Sequence, residues 1–175
     1  MGMKLAKLLS LALLFFYFSC QNNKQHTPSV IPQNLEKEKI EVNREIIRRE
    51  NADIELIAKR YKWDLTQSAS GLQYQILNRT KGEFPKRKDI VKIKGIIMLP
   101  NGKEIYNSNT DGLKQFAVDM SEEPVGLHEL VKLMRIGEKA NAIIPSYLAY
   151  GISGDGISIP AVSSLICKIE LTNIN

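Results

Sequence analysis

Residues 144–151 read IPSYLAYG, residues 159–160 read IP, and residues 164–172 read SLICKIELT. In the last of these segments, apolar residues alternate with polar ones, which is the period of a half-buried β-strand. The first segment ends an apolar run and then turns, as its proline and its glycine indicate. We therefore expect a strand, an aromatic-rich turn, a loop and a second strand, and this arrangement decides the fold.

Working outward, other short apolar segments read as strands, and they lie at 71–77, 90–99, 103–106, 115–119 and 140–144. One helix interrupts them, because apolar residues follow Pro124 at helical spacing and Gly137 ends the pattern. These elements predict an α+β fold over residues 70–175. In it, a twisted antiparallel sheet of five to six strands wraps on one helix.

The segment before this domain, residues 35–66, is rich in Glu, Lys, Arg and Ile and predicts an N-terminal helical segment. Ile40, Ile47, Ile54 and Tyr61 recur at every seventh position. The sequence leaves open one long helix or a helix pair. It also leaves open whether the apolar stripe packs on its own domain, spaces the domain from a membrane or forms a dimer contact.

Residues 1–19 have the pattern of an export signal, with early lysines and an apolar run at 8–18 that is too short to span a bilayer. The next residue, Cys20, makes the junction resemble a bacterial lipobox, so we expect a lipid anchor on its thiol, with palmitate among the acyl chains. A plain signal peptide or a buried N-terminal cysteine is the alternative. Residues 20–34 are polar, contain prolines and predict a flexible tether. These features predict a lipid-anchored protein of the cell envelope that faces the periplasm, and Gln21 favours the outer membrane.

The composition excludes several classes of protein. Lys and Arg number 24 and Asp and Glu 19, a net charge of +5, while 43% of residues are apolar and 25% are charged. These values exclude wholesale disorder and a multi-span membrane protein, and the mild charge does not indicate a nucleic-acid partner. No Cys or His spacing fits a metal site and no phosphate-binding loop is present, so we expect neither metal nor cofactor. His128 lies beside the apolar stripe of the helix, and we expect it to be solvated.

The motifs of the C-terminal region resemble those of the FKBP-type peptidyl-prolyl cis-trans isomerases. The resemblance is carried by the Ala-Tyr-Gly of 149–151, the Ile-Pro of 159–160, and the Phe-Pro-Lys-Arg of 84–87 before the long strand. It covers residues 70–173. It implies an FKBP-like fold and, with it, an apolar pocket beside Tyr150, the tyrosine of the Ala-Tyr-Gly run.

The resemblance also implies a mechanism that uses no metal, nucleophile or acid–base pair. An X-Pro bond isomerises over a barrier of about 18–20 kcal/mol, because twisting breaks amide resonance. An apolar pocket that holds the prolyl ring strips the water that favours the planar amide. Position by position, the resemblance makes the Tyr150 hydroxyl and the Ile159 backbone N–H donors to client carbonyls, and it makes Phe116 an aromatic wall.

Several pocket positions depart from the family pattern. Leu127 stands where the family usually has a tryptophan floor, and Ile105 and Cys167 stand where it has phenylalanines. Gly95 takes the place of a pocket tyrosine. We therefore expect a cavity that is wider and less complementary to a prolyl ring than is usual in the family.

Two further departures concern polar groups. In the gapless alignment, Tyr106 takes the place of an aspartate. One inserted residue would instead put Tyr106 in a phenylalanine position and Asn107 in the aspartate position. Pro124 stands where a backbone N–H normally donates, and proline has no N–H to give.

The sequence supports two functions of different classes. The first is a membrane-tethered prolyl isomerase and folding helper, whose partners are proline-containing segments of exported proteins. The second is a catalytically weak or inactive binding module that docks on a motility or secretion machine. Gly126-Leu127 and the Leu-Ile-Cys of 165–167 resemble the FKBP-like lipoproteins associated with gliding motility in Bacteroidetes. A general chaperone for unfolded chains is the outcome if no stable partner exists.

Overall fold

The computed structural model describes residues 33–175, with side chains from Lys37 onward. The predicted signal peptide, the predicted lipidation site Cys20 and nearly all of the predicted tether lie outside the described residues. Packing is described below for residues 39–175, which cluster as one unit. Among the described helices, none combines the length and the apolar character that crossing a bilayer requires.

The first element is a single helix, α1, over Gln33–Tyr61. Good helix formers fill it, and Glu45 binds Arg48 and Arg49 one turn later at 2.8 and 2.7 Å. Asn51 continues the helix instead of starting a second one. Of the two alternatives that the sequence left open, the structure has one long helix.

Seven strands form one antiparallel sheet: β1 (Thr66–Gln67), β2 (Gln73–Ile76), β3 (Ile90–Met98), β4 (Glu104–Asn107), β5 (Lys114–Ala117), β6 (Lys139–Ile144) and β7 (Leu165–Ile174). Their order is β1-β2-β6-β7-β3-β4, and β5 also pairs with β3. The α+β class and the antiparallel sheet are confirmed. The sheet has one strand more than expected, because the two residues of β1 are too few to display an alternation.

The remaining elements are a one-turn helix α2 (Ser108–Asp111), the helix α3 (Val125–Lys132) and a 3₁₀ turn (Ser146–Leu148). Leu127, Leu130 and Val131 of α3 are buried in the main hydrophobic core, on what we call the inner face of the sheet. Gly126 allows this close approach, because a Cβ atom there would collide with the Ile144 side chain of β6.

Helix α1 packs on the opposite, outer face of the sheet. Ile54 and Ile57 are buried against Met98, Ile143 and Ile166, and these five residues form the outer cluster. The three strand residues point to this side because each is a sequence neighbour of an inward-facing residue. The sheet therefore carries a separate apolar cluster on each face.

The seven-residue repeat of α1 does not pack along its whole length. Ile54 is fully buried, but Ile40 and Ile47 are 48% and 44% exposed. The repeat therefore marks the docked face only in the second half of the helix.

Candidate active site

A small cavity of about 60 Å³ lies between the inner face of the sheet and the start of α3. Six of the seven predicted site residues line it: Ile105, Tyr106, Leu127, Tyr150, Ile159 and Cys167. The volume is far below the ~300–1,000 Å³ of ordinary small-molecule pockets, so the space suits one side chain, not a whole drug-sized ligand. The fold thus brings these six residues together at one cavity. The roles of the six residues in binding remain predictions.

A groove of about 620 Å³ is much larger and lies between α1 and the loops at 99–101 and 160–164. None of the predicted site residues lines it. Size therefore does not identify the site here. We identify the site by the six predicted residues and the polar groups that converge on one apolar lining.

The seventh predicted residue, Phe116, does not line the cavity. It is buried in the core, where its ring meets the His128 ring edge-on at 5.3 Å. Phe116 therefore packs against a residue of α3, and the described cavity lining does not include it as the aromatic wall that the resemblance implied.

The prediction of a solvated His128 is wrong, since the residue is only 4% exposed. Its Nδ1 accepts the Asp119 N–H at 3.1 Å, and its Nε2 lies 3.2 Å from the Ser121 carbonyl oxygen. The tautomer with a proton on Nε2 satisfies both bonds, an assignment that rests on this geometry. Both ring nitrogens are thus paired, which is what allows the ring to be buried.

Tyr150 is held at the cavity by the turn that begins at Ser146. The Ser146 carbonyl accepts the Ala149 N–H at 2.9 Å and the Gly151 N–H at 2.8 Å. Among the described residues no hydrogen-bond partner is found for the Tyr150 hydroxyl. Burial raises its pKa above the usual value of 10, and the carboxylates of Glu123 and Asp155 raise it further. At neutral pH the phenol is therefore protonated and free to donate.

Ile159 reaches the cavity on a loop that Asp155 organises. The Asp155 carboxylate accepts the backbone N–H of Ile159 at 2.7 Å, of Ser158 at 2.8 Å and of Ile157 at 2.9 Å. These bonds, that from Ile159 first, lower the pKa of Asp155 to about 2. The Ile159 N–H, predicted as a donor to the client, is thus already used inside the loop, and a client carbonyl would have to displace the carboxylate.

Tyr106 and Ile105 both line the cavity, so each of the two alignments puts a cavity residue in the phenylalanine position. The Tyr106 hydroxyl donates to the Gly112 carbonyl at 2.8 Å and accepts the Lys114 N–H at 2.9 Å. Because both of these bonds stay within the chain, the hydroxyl tethers the start of β5 and is not a free donor.

The floor of the cavity is aliphatic. Leu127 and Cys167 are fully buried, and burial raises the pKa of the Cys167 thiol to about 12, so it remains a neutral apolar group. Ile97, Ile144 and Leu165 complete this lining. Leu127 and Cys167 are smaller than the aromatic residues that the family usually has at these positions. Branched aliphatic residues surround them, and the cavity is therefore small.

Gly95 is not part of the lining. Its φ is +137°, and a Cβ atom there would collide with the Lys168 carbonyl oxygen of β7. It borders a separate shallow depression of about 210 Å³ together with Lys94 and Lys168. The glycine thus permits the close approach of β3 and β7, and the expectation that it enlarges the cavity is wrong.

Sequence reasoning missed the only two charged residues of the lining, Lys114 and Glu123, whose side chains meet at 2.8 Å. Lys114 stands directly before the predicted strand 115–119, and Glu123 directly before Pro124. Nothing in their spacing distinguishes them from ordinary surface charges. Among residues 33–175, no group of three or more His, Cys, Asp or Glu could hold a metal ion.

Comparison with known proteins places this geometry in a family. Residues 81–172 match the family model of the FKBP-type peptidyl-prolyl cis-trans isomerases, which is more than half of the chain. The chain belongs to this family. Family membership agrees with the apolar cavity and with the tyrosine at its edge.

Curated family members from other bacteria are similar in sequence. The chain is 36% identical to FkpA of Aeromonas hydrophila over 119 residues, which cover 68% of the chain and 44% of that protein. It is 34% identical to the 22 kDa FKBP-type isomerase of Escherichia coli over 118 residues, 65% of the chain and 54% of that protein. The chain spans about half the length of the curated relatives it matches.

Solved structures agree with the fold. The crystal structure of FkpA from Escherichia coli has a TM-score of 0.65 and 28% identity, and the match covers 97% of this chain and 81% of that one. A prolyl isomerase from Pseudomonas syringae pv. tomato has a TM-score of 0.61 and 25% identity, with 71% and 92% coverage. The FKBP-like fold is therefore shared with these proteins, and the match to FkpA also includes the helix before the sheet.

Proposed function

We propose that the protein is a prolyl cis-trans isomerase and folding helper that holds the proline of an exported client in the inner-face cavity. The observation that carries the proposal is the Tyr150 hydroxyl. It is protonated and has no partner among the described residues, and it lies at the edge of a lining formed by Leu127, Ile159 and Cys167. A family position alone would not suffice, because a fold does not transfer an activity without its site.

The catalytic step follows from this geometry. The aliphatic lining accepts the prolyl ring and removes water from the amide, whose planar form is more polar than its twisted form. The Tyr150 hydroxyl donates to a carbonyl that flanks the amide and so fixes the peptide while the C–N bond turns. Binding that is stronger in the twisted state lowers the barrier, and no bond is made or broken.

The test is cis-to-trans relaxation of a chromogenic Ala-Leu-Pro-Phe peptide with the full chain at micromolar concentration. We expect acceleration, and we expect Tyr150→Phe to lower kcat/KM about tenfold, the effect of one hydrogen bond of ~1.4 kcal/mol. Tyr147→Phe is the matched control, because this neighbouring tyrosine does not line the cavity. If the full chain does not accelerate relaxation, catalysis is disproved.

We also propose that the chain is tethered to the envelope membrane, most favourably the outer one, through lipid on Cys20. The support is the order of lysines, apolar run, cysteine and polar tether in residues 1–34. Mass spectrometry of the isolated protein should find acyl chains on an N-terminal Cys20, and Cys20→Ala should move the protein from the membrane to the soluble fraction. An unmodified Cys20 within a longer N-terminus contradicts this.

A second candidate is a non-catalytic binding module in a motility or secretion machine, as in the gliding-motility lipoproteins that the sequence resembles. It is favoured by the missing N–H of Pro124 and by the occupied N–H of Ile159. It predicts a stable protein partner in gentle pull-downs that is retained by Tyr150→Phe. If no partner is found but unfolded chains are kept from aggregating, a general chaperone is the better description.

A further inference from the structure

The cavity has few hydrogen-bond donors that a client could use. Pro124 has no N–H, the Ile159 N–H is bonded to Asp155, and the Tyr106 hydroxyl is bonded within the chain. Apart from the Tyr150 hydroxyl, the side-chain N–H or O–H donor left among the described lining residues is the ammonium group of Lys114. A peptide that enters an apolar cavity must still pair its carbonyl oxygens, so this donor is needed there.

We propose that the Lys114 ammonium donates a hydrogen bond to a backbone carbonyl of the bound client, as a catalytic residue that replaces the backbone donor missing at Pro124. The inference rests on the proposed function, whose cavity and client it shares. It names the group that completes the polar contacts of that site.

The backbone of Lys114 is fixed at the cavity. It is the first residue of β5, where it pairs with Ile93 of β3, and its N–H donates to the Tyr106 hydroxyl. Its Nζ atom lies 5.3 Å from the centre of the Tyr106 ring, which itself lines the cavity. The ammonium is therefore held over a lining residue.

Glu123 makes a cation acceptable in this partly buried place. The Lys114 Nζ donates to Glu123 Oε1 at 2.8 Å, and the two side chains are 26% and 21% exposed. An ammonium has three N–H groups, and Glu123 is the one acceptor that the described residues provide, which leaves hydrogens for a ligand. Because the pair is neutral as a whole, it favours an uncharged carbonyl over a second carboxylate.

The resonance of the peptide bond also determines which client carbonyl can accept the hydrogen bond from the Lys114 ammonium. A hydrogen bond to the oxygen of the rotating amide would stabilise the planar form, in which resonance places negative charge on that oxygen. Such a bond would raise the barrier. Lys114 must therefore donate to a carbonyl that flanks the rotating amide, as we propose for Tyr150, so that the two donors hold the peptide at two points.

The experiment compares Lys114→Met with the full wild-type chain in the relaxation assay. Methionine keeps the length and apolar stem of lysine but cannot donate, so we expect kcat/KM to fall about tenfold while the chain stays folded at the assay temperature, as circular dichroism checks. Lys94→Met is the matched control, because Lys94 also faces a glutamate, Glu170 at 3.3 Å, but lies outside the cavity. A Lys114→Met variant that keeps kcat/KM within about twofold of wild type overturns the proposal.

A second pair of variants keeps the test decisive if Lys114→Met does not fold. Lys114→Arg keeps a charged donor and Lys114→Gln keeps only a neutral one, so arginine should exceed glutamine in kcat/KM by about threefold or more. Equal values for the two variants overturn the proposal.

The same peptide separates this proposal from the proposed function. If wild type binds the peptide in calorimetry without accelerating relaxation, the isomerase function fails and Lys114 is judged by affinity alone. An affinity about tenfold weaker in Lys114→Met then supports the donor, and an equal affinity overturns it. If wild type does not bind the peptide at all, both proposals are overturned.

Discussion

Polar groups beside the two faces of the sheet are paired to different degrees. On the outer face, Glu50 of α1 is 7% exposed, and its carboxylate accepts the Ser146 N–H at 2.6 Å and the Ser146 hydroxyl at 2.9 Å. On the inner face, the Tyr150 hydroxyl and part of the Lys114 ammonium have no acceptor among the described residues. Because unpaired polar groups are costly in apolar surroundings, the face that leaves them unpaired is the face on which we propose that a ligand binds.

The two faces are nevertheless joined at Ser146. Its N–H and hydroxyl bind Glu50 on the outer side, and its carbonyl accepts the N–H of Gly151 in the turn that carries Tyr150. Helix α1 thus anchors the segment that places the phenol. Substitutions at the outer face should therefore mainly lower the stability of the fold and, to a smaller extent, the activity. Substitutions at the cavity should mainly lower the activity.

The largest expected effect is in the outer cluster. Ile54→Ala removes a fully buried side chain and leaves a cavity, so the free energy of unfolding should fall by about 3 kcal/mol. Ile40→Ala, on the exposed half of the same helix, should change it by less than about 0.5 kcal/mol. Urea unfolding followed by circular dichroism measures both, and equal losses would show that α1 does not dock as described.

Glu50→Gln should have the next largest effect. The amide keeps one acceptor oxygen but turns its NH₂ toward Ser146, so one buried donor loses its partner, at about 2 kcal/mol. Glu55→Gln, at an exposed position of α1, is the control and should be neutral. We also expect Glu50→Gln, and not Glu55→Gln, to lower kcat/KM. A stability loss with unchanged kcat/KM would mean that the two faces are independent.

The sequence predicts many features of the two faces, but only those that a pattern of neighbouring residues encodes. Alternation, short apolar segments and a turn signal located every described strand except β1, and the helical stripe with Pro124 and Gly137 located α3. The contact between Glu50 and Ser146 joins residues 96 positions apart, and no local pattern encodes which distant serine a glutamate will meet.

The missed details of the site have the same cause. Tyr150 and Cys167 were identified because a motif or an alternation marks them. The burial of His128, the use of the Ile159 N–H by Asp155 and the pairing of Lys114 with Glu123 all depend on how loops close over the sheet. Side-chain type and strand period carry no information on loop closure, so these had to be seen in three dimensions.

A smaller, pH-dependent effect is expected at the rim of the cavity. The pKa of Asp155 is about 2 in the folded chain and near its ordinary 3.8 once unfolded. A lowered folded pKa contributes stability above the unfolded pKa and loses it as pH falls through the folded one. The urea concentration at the unfolding midpoint of the wild type should therefore decrease between about pH 4 and pH 2. The part of this decrease that Asp155 causes should be absent in Asp155→Asn. Asp64→Asn, at an exposed loop position, should keep the wild-type acid dependence, and a flat wild-type profile would contradict the network.

The smallest effect concerns the cavity floor. Because burial raises the pKa of Cys167 to about 12, its thiolate is nearly absent at neutral pH. In a Cys20→Ser background, we expect an aromatic disulfide reagent to label Cys167 only as fast as the chain unfolds, and at once in concentrated urea. An introduced thiol at exposed Ser153 should react immediately. Rapid labelling of native Cys167 would show that the cavity floor is open to solvent.

Strand β7 has a consequence for when the molecule can fold. It is the only link in the sheet between β1, β2 and β6 on one side and β3, β4 and β5 on the other. It is also the last described element in chain order, so the two halves cannot join until residues 165–174 have left the ribosome. During synthesis the nascent chain therefore stays without a completed sheet until its last strand is available.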